Sequence, residues 1–203
     1  MTIDQIMRIA PVIPVIVLDG AHDPAALAAT LVEAGLPAIE VTLRTPGAVD
    51  ALAAMAEVPG AVVGAGTVLN DRQLDEARSA GAKFIVSPGL TEPLARAAEG
   101  MPFLPGVSSA GDIMRGLDLG LDRFKFFPAE AAGGIPLLKT LSAPFAGLRF
   151  CPTGGITAAT APDWLALEAV SCVGGSWIVP KGAGLKRIAE LARQAAAMSR
   201  SIN

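Results

Sequence analysis

Lys125 stands in the run Phe124-Lys125-Phe126-Phe127-Pro128, an amine set among aromatic side chains. The run reads as a short buried strand, and a strand sends alternate side chains to opposite faces. Lys125 and Phe127 therefore share one face, and Phe124 and Phe126 share the other. An ammonium held among apolar groups is costly unless it is paired or gives up its proton, and desolvation favours the neutral form. A neutral lysine amine is a nucleophile toward carbonyl carbon. The run alone leaves two readings open: a Schiff-base lysine, or a structural lysine paired with a core carboxylate.

A partner of the right kind lies in Ile39-Glu40-Val41-Thr42-Leu43-Arg44-Thr45. Alternation puts Glu40 and Thr42 on the face opposite Ile39 and Val41. If the apolar pair packs on helices, Glu40 points to the other side, where a carboxylate is expensive unless paired, protonated or in use. Arg44 follows in the loop, and its planar fork suits a carboxylate held by two hydrogen bonds. By itself Arg44 reads better as a surface-loop arginine. Gly64-Ala65-Gly66-Thr67 offers close backbone approach and a hydroxyl. Ser87-Pro88-Gly89 and Pro105-Gly106-Val107-Ser108 are generic loop signals. Two glycine pairs say more: Thr153-Gly154-Gly155-Ile156-Thr157 and Gly174-Gly175-Ser176-Trp177. Paired glycines free backbone N–H groups to point at an anion, so Gly154, Gly155, Gly174 and Gly175 read as a phosphate cradle. An amine, an acid, a cation for carboxylate and a phosphate cradle together suit a phosphorylated 2-oxo acid.

These residues must be positioned by a repeating scaffold. Apolar runs fall at residues 12–18, 38–43, 61–65, 83–87, 102–105, 124–127, 148–152 and 170–173. Their spacing, roughly 20–25 residues, is that of one strand and its crossover helix. Helical patterns fill the gaps at 24–35, 47–57, 71–80, 92–99, 110–119, 136–142, 157–167 and 185–198, with an extra amphipathic helix at 2–10 before the first strand. Asn70 and Ser109 suit N-caps, and Gly35, Gly81, Gly100 and Gly120 suit the position after a helix end. The pattern predicts an α/β chain: residues 1–203 as a single (β/α)8 TIM barrel with an extra N-terminal helix. In that fold the chemistry sits at the C-terminal strand ends, and phosphate is often held by the loops after strands seven and eight. The absence of a Gly-x-Gly-x-x-Gly after the first strand argues against a dinucleotide-binding open sheet.

Composition narrows the function classes. The chain is 52% hydrophobic and 17% charged, which suggests strands buried on both faces. No apolar run reaches the roughly 18 residues needed to span a bilayer, and the first residues do not form a signal peptide. A net charge of −3, with scattered basic residues, argues against nucleic acid as a partner. Cys151 and Cys172 fall on neighbouring predicted strands and read as buried thiols in a reducing, cytoplasmic setting. The single histidine, His22, lies in a loop and reads as a surface residue, so a zinc site is not expected.

The runs Glu40-Val41-Thr42-Leu43-Arg44-Thr45, Val63-Gly64-Ala65-Gly66-Thr67-Val68, Ser87-Pro88-Gly89, Phe124-Lys125-Phe126-Phe127-Pro128-Ala129-Glu130, Cys151-Pro152-Thr153-Gly154-Gly155-Ile156 and Gly174-Gly175-Ser176-Trp177 resemble those of the bacterial 2-keto-3-deoxy-6-phosphogluconate (KDPG) aldolases. The resemblance spans essentially the whole chain in the same order. It implies a class I aldolase of the Entner–Doudoroff pathway, usually a homotrimer, that cleaves 2-dehydro-3-deoxy-6-phosphogluconate to pyruvate and glyceraldehyde 3-phosphate. Lys125 then matches the Schiff-base lysine, Glu40 the general acid/base and Arg44 the binder of the pyruvate carboxylate. Thr67, Pro88, Phe127 and Thr153 match pocket residues, and Gly154, Gly155 and Ser176 match phosphate contacts. No cofactor or metal is implied. The alternatives are relatives acting on the galactonate epimer or on 4-hydroxy-2-oxoglutarate, and a metal-dependent pyruvate aldolase using Glu40 and Glu130.

Overall fold

Alternating apolar runs and Ala/Leu-rich stretches fold as alternating strands and helices in the computed structural model, which describes residues 1–200. The strands are β1 (Val12–Ile16), β2 (Ala38–Thr42), β3 (Val62–Gly66), β4 (Phe84–Val86), β5 (Phe103–Leu104), β6 (Gly106–Val107), β7 (Arg123–Phe126), β8 (Arg149–Pro152) and β9 (Val173–Gly175). The helices are α1 (Ile3–Ile9), α2 (Pro24–Glu33), α3 (Ala48–Ala56), α4 (Asp71–Ser79), α5 (Glu92–Ala97), α6 (Ala110–Asp118), α7 (Ala129–Ala132), α8 (Gly134–Ser142), α9 (Ala161–Leu165) and α10 (Leu185–Ala196).

Neighbouring strands pair in parallel, in the orders β5-β4-β3-β2-β1-β9 and β6-β7-β8. The chain passes from one group to the other at Pro105, which separates β5 from β6 and has no N–H to give a ladder. At the opposite side, β8 meets the chain around β9 through the bridges Phe150↔Val170 and Thr153↔Gly174. The result is a curled parallel sheet with helices on its outer face.

Alternation divides the core in two. Ile39, Val41, Val63 and Ala65 join the outer cluster with Leu27, Leu31, Leu52 and Met55 from α2 and α3. Ile13, Ala38, Phe84, Val86, Leu104, Cys151 and Cys172 form a second cluster on the concave face. Helix α1 presses Ile6 and Met7 into that second cluster, and both are fully buried. Burying each such side chain contributes roughly 1.5–3 kcal/mol. A capping box fixes the start of α1: Gln5 N–H donates to Thr2 Oγ1 at 3.2 Å, and Thr2 N–H to Gln5 Oε1 at 2.7 Å. Asp4 pairs with Arg8 within the helix at 2.8 Å and ties the helix to Arg123, on β7, at 2.6 Å.

Several boundaries differ from the pattern. The helix expected over 157–167 begins only at Ala161, because Thr157 and Thr160 use their hydroxyls on each other's backbone N–H groups. The last strand begins at Val173 rather than 170, with Val170 contributing one bridge. Ser109 and Asn70 cap their helices as expected, accepting from Asp112 N–H and Gln73 N–H. The expected helix-end glycines, Gly35, Gly81, Gly100 and Gly120, all adopt positive φ.

Candidate active site

The centre of the site is set by two strands that are not paired with each other. Glu40 projects from β2 and Lys125 from β7, and both lie on the concave face, 3% and 5% exposed. Lys125 Nζ donates to Glu40 Oε1 at 3.1 Å and lies 3.4 Å from Oε2. It also sits 5.4 Å from the centroid of the Phe127 ring, a cation–π contact. On the other face of β7, Phe124 packs on Phe150 and Phe126 on Trp164. The face assignment made from alternation is therefore what the structure has. Breaking one half of a buried pair leaves an uncompensated charge, so neither residue is replaceable without consequence.

Gly66 makes room for this pair. A Cβ there would fall on the Glu40 carboxyl group. Its neighbour Gly64 lies beneath the Phe84 ring instead. Just beyond, Arg44 Nε donates to Thr67 Oγ1 at 3.2 Å. The exposed Arg44 guanidinium makes no ion pair with a carboxylate among the described residues. Thr67 holds φ +61°, a left-handed conformation that a β-branched residue rarely adopts and that stores strain. Nothing in the sequence marks that strain. Pro88 follows β4, and its carbonyl fills the space where a side chain at Gly106 would stand.

The glycine pairs lie where β8 and β9 end. Thr153 is 6% exposed, hydrogen-bonds Cys151 O at 3.3 Å and occupies the space a Cβ at Gly174 would need. Gly154 and Gly155 have φ +104° and +81°, conformations suited to glycine. Thr153 O and Gly154 O accept from Ala129 N–H and Glu130 N–H at the start of α7. Gly175 lies under the Trp177 ring, and Ser176 opens a 3₁₀ turn with its side chain exposed and unpaired among the described residues. The structure thus brings Lys125, Glu40 and Phe127 into contact, pairs Arg44 with Thr67, and joins Thr153 to Gly174.

The family described as KDPG and KHG aldolase matches residues 3–191. The chain belongs to that family. It is 54% identical over 202 residues to the 2-dehydro-3-deoxy-phosphogluconate aldolase of Zymomonas mobilis, covering 98% of this chain and 97% of that one. It is 52% identical over 199 residues to the KHG/KDPG aldolase of Escherichia coli K12, covering 95% and 93%. Among solved structures it resembles the KDPG aldolase of Legionella pneumophila at 43% identity, with a TM-score of 0.92 and coverage of 97% and 99%. In that structure pyruvate was captured as a covalent carbinolamine intermediate.

Two features of this family member were not read from its sequence. Trp164 Nε1 donates to Glu130 Oε1 at 3.0 Å, so one carboxylate of the metal-dependent alternative is engaged by an indole and the other, Glu40, by Lys125. Among the described residues no group of three His, Cys, Asp or Glu side chains is assembled. A buried tryptophan needs a partner for its N–H, which was the available signal for this contact. His22 is half-buried, and its Nε2 lies 2.7 Å from Ala183 O, which links the loop after β1 to the one before α10. Cys151 and Cys172 are free and buried. Their contact, with burial, pushes the Cys172 thiol well above its ordinary value. No helix among the described residues is long and apolar enough to cross a membrane.

Proposed function

We propose that this chain is a class I aldolase that cleaves 2-dehydro-3-deoxy-6-phosphogluconate to pyruvate and glyceraldehyde 3-phosphate in the Entner–Doudoroff pathway, using Lys125 and Glu40. The observation that carries the reading is the buried Lys125 Nζ set 3.1 Å from Glu40 Oε1. The curled sheet is one closed (β/α)8 barrel domain with α1 across one end, and the active chain is a cytoplasmic homotrimer that binds neither nucleic acid nor membrane.

Passing a proton from Lys125 to Glu40 frees the amine lone pair for attack on C2 of the substrate. Glu40 gives that proton to the carbinolamine hydroxyl, which leaves as water, and the resulting iminium ion accepts electrons as the C3–C4 bond breaks. Glu40, directly or through a water, takes the C4 hydroxyl proton, and glyceraldehyde 3-phosphate leaves. Glu40 then protonates C3 of the enamine, and hydrolysis of the iminium releases pyruvate and the free lysine. Arg44, with Thr67, binds the carboxylate of the pyruvate half, while Pro88, Phe127 and Thr153 wall the pocket. Gly154, Gly155, Gly174, Gly175 and Ser176 hold the phosphate at the other end. No step calls for a cofactor or metal.

The test is pyruvate release in excess EDTA, followed with lactate dehydrogenase, on the phosphogluconate substrate, its galactonate epimer and 4-hydroxy-2-oxoglutarate. Rapid, EDTA-insensitive release from the first is expected. The Escherichia coli relative's double name favours measurable turnover of the last as well. Lys125→Ala is expected to abolish cleavage and borohydride trapping of pyruvate. Glu40→Gln should lower kcat by about 10²–10⁴ while still trapping pyruvate. Near-normal cleavage by Lys125→Ala would sink the mechanism.

A further inference from the structure

Glu130 lies directly against the loop read above as a phosphate cradle. Its backbone N–H donates to Gly154 O at 3.1 Å. Its Cβ and Cγ lie so close to Gly155 that a methyl group there would stand 2.8 Å from each. The glutamate stem is therefore laid along the backbone of Gly155. The far end of the side chain is held by Trp164 Nε1 at 3.0 Å. Trp164 is fully buried in α9 and packs on Phe126, the residue after Lys125, with ring centroids 6.1 Å apart.

A carboxylate beside an anion-binding loop is electrostatically unfavourable for the anion. Its charge therefore does not explain its presence, whereas its geometry does. An exposed glutamate without an anchor samples several rotamers. With one oxygen fixed by the indole, its stem becomes a wall that limits where Gly155 can move. We infer that Glu130 is a positioning residue, clamped by Trp164, that holds Gly154 and Gly155 in the conformation that receives the substrate's phosphate. The inference rests on the proposed reading that the phosphate lies on this loop. It assigns to Glu130 neither contact with substrate nor proton transfer.

The experiment compares cleavage of the phosphorylated substrate with cleavage of its dephosphorylated counterpart, 2-keto-3-deoxygluconate, alongside borohydride trapping of pyruvate. Glu130→Ala and Trp164→Phe should each raise KM for the phosphorylated substrate about tenfold, the loss of one well-placed hydrogen bond. Neither should change kcat, trapping, or KM for the dephosphorylated substrate by more than about twofold. Glu130→Gln keeps an oxygen for the indole N–H and removes the charge, so its KM should equal or fall below that of the parent. Unchanged KM in Glu130→Ala, with the parent still preferring the phosphorylated substrate, would overturn the clamp and leave the phosphate reading standing. Equal losses on both substrates would mean a general structural role and also overturn it. A parent enzyme indifferent to the phosphate would remove both readings together.

Discussion

At the scale of single residues, the site depends on what is missing as much as on what is present. Gly66 has no side chain because the Glu40 carboxyl occupies that space. Gly66→Ala should push Glu40 away from Lys125, with kcat falling about tenfold or more while the chain still folds. Wild-type turnover in this variant would mean that the Glu40 position has more latitude than the 3.1 Å contact suggests. The lysine, the acid and the faces they share were legible in the sequence, since strand alternation alone orients Phe124-Lys125-Phe126-Phe127 and Ile39-Glu40-Val41-Thr42. The strained Thr67 was not, because a β-branched residue carries no propensity for positive φ and only the surrounding chain holds it there. The Trp164–Glu130 contact was hidden for another reason: it joins α9 to α7, and pairing of side chains across helices is not written in local periodicity.

At the scale of elements, caps and breaks decide where the strands and helices stop. The alternation of strands and helices followed from spacing, but β6 did not: Gly106 and Val107 read as loop beyond a run ending at Pro105, and they form a strand because they pair with Lys125 and Phe126 of β7. Helix α6 begins with a capping box in which Ser109 Oγ donates to Asp112 Oδ2 at 2.8 Å and accepts from Asp112 N–H at 3.2 Å. Partial burial works to raise the Asp112 pKa, yet the hydroxyl of Ser109 and the N–H groups of Ser108 and Ser109 outweigh it and hold the carboxyl below its ordinary 3.8. A depressed folded-state pKa stabilises above the unfolded value, and that stabilisation is lost as pH falls through the folded one. Ser109→Ala should therefore cost about 1 kcal/mol near neutrality. The gap to the parent should narrow in urea unfolding at about pH 3. A gap that stays constant across this range would assign the cost to the hydroxyl alone.

At the scale of the whole molecule, the concave face has two ends, and they are finished differently. One carries Lys125, Glu40 and the glycine loops; Ile6 and Met7 of α1 pack into the apolar cluster of the other. Ile6→Ala should destabilise the chain by about 2–5 kcal/mol, read by denaturant unfolding, because the void it leaves is enclosed by Ile13, Ala38 and their neighbours. A much smaller cost would show that α1 settles into the gap. A pocket stopped at one end works like a blind shaft: what goes deepest comes out last. On the proposed mechanism the three-carbon pyruvate half is bonded to Lys125 below and the phosphate end lies at the rim, so the aldehyde must leave before pyruvate can. Turnover should then be ordered, with pyruvate inhibiting competitively against the six-carbon substrate and glyceraldehyde 3-phosphate inhibiting noncompetitively, so that the helix sealing the floor also sets the sequence of departures.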